Sequence, residues 1–447
     1  MTQTPPIPSA SRYGWYVVLI LTAANSFAFV DRQVLALLVQ PIKTDLGASD
    51  TVMSLLYGIS FSLFYVLVGL PMARFADRSN RRNIIAVSIM LWSIMTMLCG
   101  LARSFTLLFL ARVGVGAGEA GLTPSAQSIL ADYFPRDRLP LAMGIYSMGI
   151  YIGGGMALIV GGLVITALEK MGSVHLPLLG DLRPWQATFL IVGAPGLLLG
   201  LIAFTIREPA RVGVVGKPVS LPFAQMWAHI GAVRWSYIGL ILGLSLMILV
   251  GQGTGAWIPA FFERKFGWTS ADIGLNYGLI VFFCGASGTL AGGFLAGMLR
   301  RRGLERANLW AACAGFAVLV PVTILFPLMP TGTGALTMIG VMNFFAGFPF
   351  GGGYAALQEI TPNRMRAQIA AAYMLGVNLI GAGLGPTLVA LATDHLFGDP
   401  AALPQALSLV AAVMSPLALV FIIIALVHHG RALRHLDQAI QNDRISA

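Results

Sequence analysis

Twelve stretches of this chain each run for roughly 18–30 residues with almost no charged side chain, a length that matches the ~20 helical residues needed to cross a bilayer. They lie near 14–39, 50–73, 84–101, 106–133, 139–168, 187–206, 235–262, 271–299, 308–327, 333–359, 367–392 and 405–427. Apolar residues make up 57% of the 447 positions and charged residues only 10%, where a soluble domain carries about 25% charge. The expected fold is an all-α membrane protein of twelve transmembrane helices. Runs beyond about 20 residues imply helices that tilt or project past the lipid.

The net charge of +10 does not indicate a nucleic-acid partner, because the basic residues are scattered in short connections beside the apolar runs. The expected partner is the lipid bilayer. Cys99, Cys284 and Cys313 fall inside apolar runs and read as small buried hydrophobes with no disulfide framework. The Pro-rich segment Met1–Arg12 leads straight into a full-length span, so no cleavable signal is expected.

Orientation follows from Lys and Arg. With the N-terminus inside, 20 of the 28 basic residues fall in cytoplasmic segments. Only Lys43, Arg103, Lys170, Arg183, Arg264 and Lys265 fall outside, and Arg32 and Arg112 lie within spans. The bias predicts a multi-pass protein of the cell (inner) membrane with both termini cytoplasmic.

The longest cytoplasmic connection, 207–234, divides the chain into six-helix bundles at 1–206 and 235–447. The two halves repeat each other. Asp132-Tyr-Phe-Pro135 ends the fourth span and Glu359-Ile-Thr-Pro362 ends the tenth; Tyr146, Gly149 and Gly154 match Tyr373, Gly376 and Gly381. Gly47, Tyr57, Gly58, Arg81 and Arg82 match Gly267, Tyr277, Gly278, Arg301 and Arg302. Parallel repeats imply a pseudo-twofold axis along the membrane normal, with a substrate site near the midplane.

Four charged residues lie clearly inside spans: Asp31, Arg32, Arg112 and Glu119. Such a charge costs on the order of 3 kcal/mol on insertion scales. Arg112 and Glu119 stand two turns apart on one helix face, roughly 10 Å along the axis, and Asp31 and Arg112 lie roughly 12 and 9 Å deep. The expectation is that Arg112 divides its pairing between Asp31 and Glu119, so that protonating one acid releases the arginine to the other or to an anionic headgroup. The alternative is a permanent Asp31–Arg112 bridge that only orients two helices. Arg32 either snorkels outward or faces substrate. The six histidines, at 175, 229, 395, 428, 429 and 435, fall in loops or at helix ends, which leaves carboxylates as the proton carriers.

Gly69-Leu-Pro-Met-Ala-Arg74-Phe-Ala-Asp77-Arg78-Ser-Asn-Arg81-Arg82 resembles the signature loop of the major facilitator superfamily, and Arg112-Val-Gly-Val-Gly-Ala-Gly-Glu119-Ala resembles its Arg-then-Gly-rich fourth span. Together with Asp31-Arg32, these motifs resemble the spinster-like branch, a resemblance that implies proton-coupled movement of lysolipid- or sphingolipid-like amphiphiles by alternating access. The loop motif is decayed in the second half, where Gly297 stands in place of Asp77. A cytoplasmic gate is expected from Arg74, Asp77, Arg78, Asp132, Arg138 and Glu359, with Asp77 accepting from the helix that starts near Ala367. Arg81 and Arg82 read as membrane-face anchors.

Glycines at three- and four-residue spacing, such as Gly114, Gly118 and Gly121, read as helix-packing positions. Gly251-Gln-Gly-Thr-Gly255 with Pro259 is a candidate break in the seventh span. Candidate substrate contacts are Arg32 and Arg112 in the first half and Gln252, Asn343, Asn378 and Phe345 in the second, an amphipathic lining. No metal or cofactor is expected, the proton gradient supplying the energy, and the unit of action is expected to be a monomer. An intramembrane enzyme would need a nucleophile–base pair or metal cluster inside the spans, and none is visible; a non-transporting receptor would gain nothing from buried charges. Within transport, small-organic-anion symport and multidrug/proton antiport are the rival readings.

Overall fold

The structure is a computed structural model that describes residues 12–76, 79–135, 138–172, 174–176, 180–209, 229–362 and 365–446. Twelve helices are long and apolar enough to cross a membrane. They are α1 (Arg12–Leu46), α2 (Asp50–Gly69), α3 (Arg81–Gly100), α4 (Phe105–Tyr133), α5 (Leu141–Met171) and α6 (Pro184–Ala203), then α7 (Arg234–Phe266), α8 (Ser270–Arg301), α9 (Ala307–Leu328), α10 (Gly332–Glu359), α11 (Gln368–Phe397) and α12 (Pro400–Leu436). A short hairpin, β1 (Val174–Leu176) and β2 (Gly180–Leu182), joins α5 to α6.

Local chemistry sets the helix ends. Ser49, Asn80, Ser104 and Thr331 each accept a hydrogen bond from a backbone N–H in the first turn of α2, α3, α4 and α10. Gly47 and Gly267 close α1 and α7 with φ of 61° and 67°, a left-handed conformation that glycine adopts without a Cβ clash. The two glycines paired by the internal repeat thus do the same work in both halves.

Close contacts divide the described residues into two compact units, one drawn from Met1–Val215 and Trp268–Gly278, the other from Gly216–Gly267 and Leu279–Ala447. In the first unit α1 packs on α5 and α3 on α6, while α4 lies against α2 and α3. A side chain at Gly153 of α5 would overlap the Ser26 carbonyl of α1. At Gly116 a Cβ would sit 2.8 Å from the Phe61 carbonyl, and at Gly118 2.9 Å from the Trp92 nitrogen. These glycines bring backbones together where lipid supplies no hydrophobic drive between helices. The start of α8 belongs to this unit, with Gly274 against Leu158 and Gly162 of α5.

In the second unit the pairings recur: α7 packs on α11 and α12, and α10 on α8 and α9. Gly253 of α7 meets Gly385 of α11, and Gly288 of α8 meets Phe344 of α10. Each unit has its own core, Leu21, Trp92 and Ile129 in the first and Leu240, Phe316 and Ile422 in the second. Large apolar side chains such as Phe294, 75% exposed, and Leu290, 72% exposed, point outward, as lipid-facing residues do.

The expected break in α7 is absent: the helix runs continuously from Arg234 to Phe266 with Pro259 inside. Irregular backbone falls instead in α8 and α11, where the wider π geometry occupies Val281–Gly285, Val377–Gly383 and Ala392–Phe397. Such insertions frequently mark functional positions.

Candidate functional site

The charges that the membrane should exclude gather in the first unit. Asp31 and Arg32 come from the middle of α1, Arg112 and Glu119 from the first part of α4, which turns irregularly at Ala120 and Gly121 directly after the glutamate. Asp31, Arg112 and Glu119 are buried, with residue exposures of 1%, 2% and 1%.

Their pairing differs from the expected one. The arginine that meets Glu119 is Arg32, whose Nε donates to Oε2 at 2.9 Å and whose Nη2 reaches the same oxygen. Arg112 does not bridge the two acids. Its Nη1 lies 3.4 Å from the Asp31 backbone carbonyl, and it makes no ion pair with either carboxylate. Arg32 therefore neither snorkels to the interface nor stands free. Two turns of helix place Arg112 and Glu119 on one face, but a guanidinium on α1 reaches the glutamate first.

Residues that carry no charge complete the site, and the sequence did not single them out. Thr96 of α3 donates from Oγ1 to Asp31 Oδ2 at 3.0 Å. The Arg32 guanidinium carbon lies 4.8, 4.2 and 5.5 Å from the ring centres of Phe29, Phe61 and Tyr65, within cation–π range. Phe61 and Tyr65 stand four residues apart on α2 and stack at 5.5 Å, a spacing that puts both on one helix face. That spacing was the available signal.

Several buried polar atoms here have no partner among the described residues: Asp31 Oδ1, Glu119 Oε1, Arg112 Nε and the Tyr57 hydroxyl. A buried carboxylate normally fills its hydrogen-bonding positions. Each acid thus keeps one oxygen bonded and holds the other open to a proton or a bound polar molecule.

At the helix ends, a second set of charges forms one cluster in each unit. Arg81, expected as a surface anchor, is 2% exposed at the start of α3. Its Nη1 donates to Asp132 Oδ2 at 2.5 Å and to Ser128 Oγ at 2.8 Å, and its Nε to Glu208 Oε1 at 2.7 Å. In the second unit, Glu359 at the end of α10 accepts from Arg300 Nη2 at 2.7 Å and Asn308 Nδ2 at 2.8 Å, with His429 Nε2 at 3.4 Å from its other oxygen. The spacing that matches Tyr146 with Tyr373 carries Asp132 to Glu359 and Arg81 to Asn308. The pairing of Arg81 with Arg301 by motif was therefore misplaced: Arg301 ends α8 and is exposed. His429, at 0% exposure, is buried inside α12 rather than at a helix end.

Of the other gate residues, Arg138 is exposed at the start of α5, Arg74 lies in the helical continuation of α2, and Asp77 and Arg78 lie outside the described residues. Among the remaining substrate candidates, Asn343 and Asn378 donate to carbonyls of their own helices, Ile339 and Met374, both at 2.9 Å. Gln252 is exposed on α7. Phe345 packs in a ring cluster, 5.2 Å from Phe344 and 5.0 Å from Phe348.

Comparison with known proteins places this architecture. Residues 21–386 match the Major Facilitator Superfamily. An MFS-type efflux pump of Mycolicibacterium smegmatis is 30% identical over 90% of both chains. A probable L-galactonate transporter of Escherichia coli is 24% identical over 79% of this chain and 77% of its own. A solved structure of a bacterial homologue of the human lysosomal transporter spinster, in an inward-facing, unoccupied conformation, superposes with a TM-score of 0.78 at 32% identity, covering 96% of this chain and 98% of that one. With twelve membrane-spanning helices and this match, the chain belongs to the Major Facilitator Superfamily of membrane transporters.

Proposed function

We propose that this transporter couples proton movement to alternating access and carries an amphiphilic, lipid-like substrate of the lysolipid or sphingoid type. The observation that carries the reading is the pair of buried acids, Asp31 and Glu119, each with one bonded oxygen and one left open among the described residues, Glu119 bonded to the half-buried Arg32 and Asp31 close to the buried Arg112. Protonating Glu119 removes the charge that holds Arg32, so a proton and the Arg32–Glu119 bond compete for one carboxylate. A released Arg32 presents a cation framed by Phe29, Phe61 and Tyr65. A cation set among rings suits a substrate with an anionic head and an apolar tail, the class that the resemblance of the motifs to the spinster-like branch implies.

In this reading both termini face the cytoplasm of the inner membrane, following the bias in basic residues. The Arg81–Asp132–Glu208 and Arg300–Glu359–Asn308 clusters brace the cytoplasmic ends of the units. Arg74, Asp77, Arg78 and Arg138 complete the gate there, and one chain, carrying both halves, acts as a monomer.

The second reading is symport of a small organic anion. Arg32 and Arg112 beside unpartnered polar atoms favour it, as does the resemblance to the galactonate transporter.

Proteoliposomes containing the purified protein decide between them. The proposal expects an imposed pH gradient to drive a fluorescent lysophospholipid across the membrane, with Arg112→Ala at least about tenfold slower. Gradient-driven hexonate flux without lysolipid flux would replace the first reading by the second; flux of either that ignores the gradient would remove proton coupling.

A further inference from the structure

Where α7 begins and α12 ends, a cavity of about 440 Å³ is lined by Trp235, Ser236, His428, Arg431, Arg434 and His435 among others. It lies wholly within the second unit, apart from the buried charges of α1 and α4. No carboxylate among the described side chains lines it. Arg431 and Arg434 are exposed and have no hydrogen-bond or ion-pair partner among the described side chains, of which that of Asp437 is not one.

One further feature points to a bound anion. Ser236, which lines the cavity, is 1% exposed, yet its hydroxyl has no partner among the described residues. A buried hydroxyl left open in a basic pocket is a donor without an acceptor.

The surroundings identify the anion as a lipid. The cavity stands beside the first residues of the α7 span and the last residues of the α12 span, the level at which spans of about 20 apolar residues meet lipid headgroups. Trp235, 47% exposed and 5.6 Å from the Arg234 guanidinium, is an interfacial aromatic of the kind that marks this level. Next to it, Ile238 on α7 and Val427 and Ile423 on α12 are exposed apolar residues leading from the cavity toward the middle of the spans. A free phosphate would use the pocket and leave that strip without a purpose; acyl chains would cover it.

We propose that this pocket binds the phosphate of an anionic phospholipid, with Arg431, Arg434 and Ser236 holding the headgroup and the α7–α12 face holding the chains. The site is separate from the transport reading and stands without it.

Native mass spectrometry of the full-length protein in detergent tests it, with dioleoylphosphatidylglycerol, dioleoylphosphatidylcholine and glycerol 3-phosphate as probes. The expected result is retention of phosphatidylglycerol over phosphatidylcholine, no retention of glycerol 3-phosphate, and about fivefold weaker retention for each arginine removed by Arg431→Ala and Arg434→Ala. The Arg431→Lys/Arg434→Lys protein keeps the charges and should keep the lipid, which guards against a folding defect in the alanine variants. Arg301→Ala/Arg302→Ala removes equal charge elsewhere and should change nothing. Unaltered lipid retention in the Arg431→Ala/Arg434→Ala protein, equal loss in the Arg301→Ala/Arg302→Ala protein, or equal retention of glycerol 3-phosphate would overturn the proposal.

Discussion

Arg32 and Glu119, 87 residues apart in sequence, meet inside the first helical unit with the guanidinium donating from Nε to Oε2 at 2.9 Å. Arg32 keeps 29% of its side chain exposed while Glu119 keeps 1%, so one partner touches the open side of the site and the other is sealed. That asymmetry suits a bond that opens when the sealed partner gains a proton.

If this pair is the coupling element, Glu119→Gln should give a transporter whose flux no longer changes with pH. Flux measured from pH 5.5 to 8 in proteoliposomes is the test, and a wild-type pH profile in the variant would remove Glu119 from coupling. Combined with Arg32→Met, the effects should be strongly non-additive, with a coupling energy of about 1–3 kcal/mol in thermal unfolding.

Arg81 is buried between two acids on different segments. Arg81→Ala removes the buried guanidinium that Asp132 and Glu208 share and should destabilise the protein by about 3 kcal/mol. The neighbouring Arg82 bonds through its backbone N–H to Glu208 and, among the described residues, through its side chain to Asn83 alone, so Arg82→Ala should stay within about 0.5 kcal/mol of wild type. Equal melting temperatures for the two variants would show that the cluster carries no stability.

The α1–α5 contact depends on the absence of a side chain at Gly153. Gly153→Val should force the two helices apart at an expense of about 1–3 kcal/mol. Gly144 on the same helix has open space where its Cβ would stand, and Gly144→Ala should leave thermal stability unchanged or slightly higher. A Gly153→Val protein as stable as wild type would mean that α1 and α5 can separate freely.

His229, just before α7, is half-buried, with Nε2 3.3 Å from the Ile360 carbonyl and its ring 5.6 Å from that of His435. Burial lowers its pKa below the ordinary imidazole value, against a smaller upward pull from the Ile360 carbonyl, and the neighbouring His435 adds a still smaller lowering. The folded state therefore binds the proton less readily than the unfolded chain. The stability this supplies is complete above about pH 6.5 and falls away as the pH drops below it. Melting curves between pH 7.5 and 5 should show a steeper acid-side loss for wild type than for His229→Gln; parallel curves would refute the assignment.

The helical architecture was legible because it rests on length and polarity alone. Each long run had to be a membrane helix whatever it packed against; that the repeat-matched Gly47 and Gly267 both close helices in the left-handed region came from the structure. The irregular backbone was not legible. Gly251–Gly255 was a candidate break, yet Gly253 is used for close approach to Gly385, and the π geometry lies in α8 and α11 instead.

The buried charges were found from sequence because an ionised group in an apolar run is conspicuous by itself. Which arginine met which acid was not, since that depends on how helices rotate and on which guanidinium arrives first. Intrahelical spacing pointed to Arg112 and Glu119, and packing of α1 against its neighbours delivered Arg32 instead. Thr96, Phe61 and Tyr65 joined the site without any charge to announce them. By itself the chain's hydropathy determined the number of spans, because burial in lipid is a property of each segment alone. Partner choice is a property of two segments at once, and only the tertiary structure, through glycine-set helix distances and rotations, decided it.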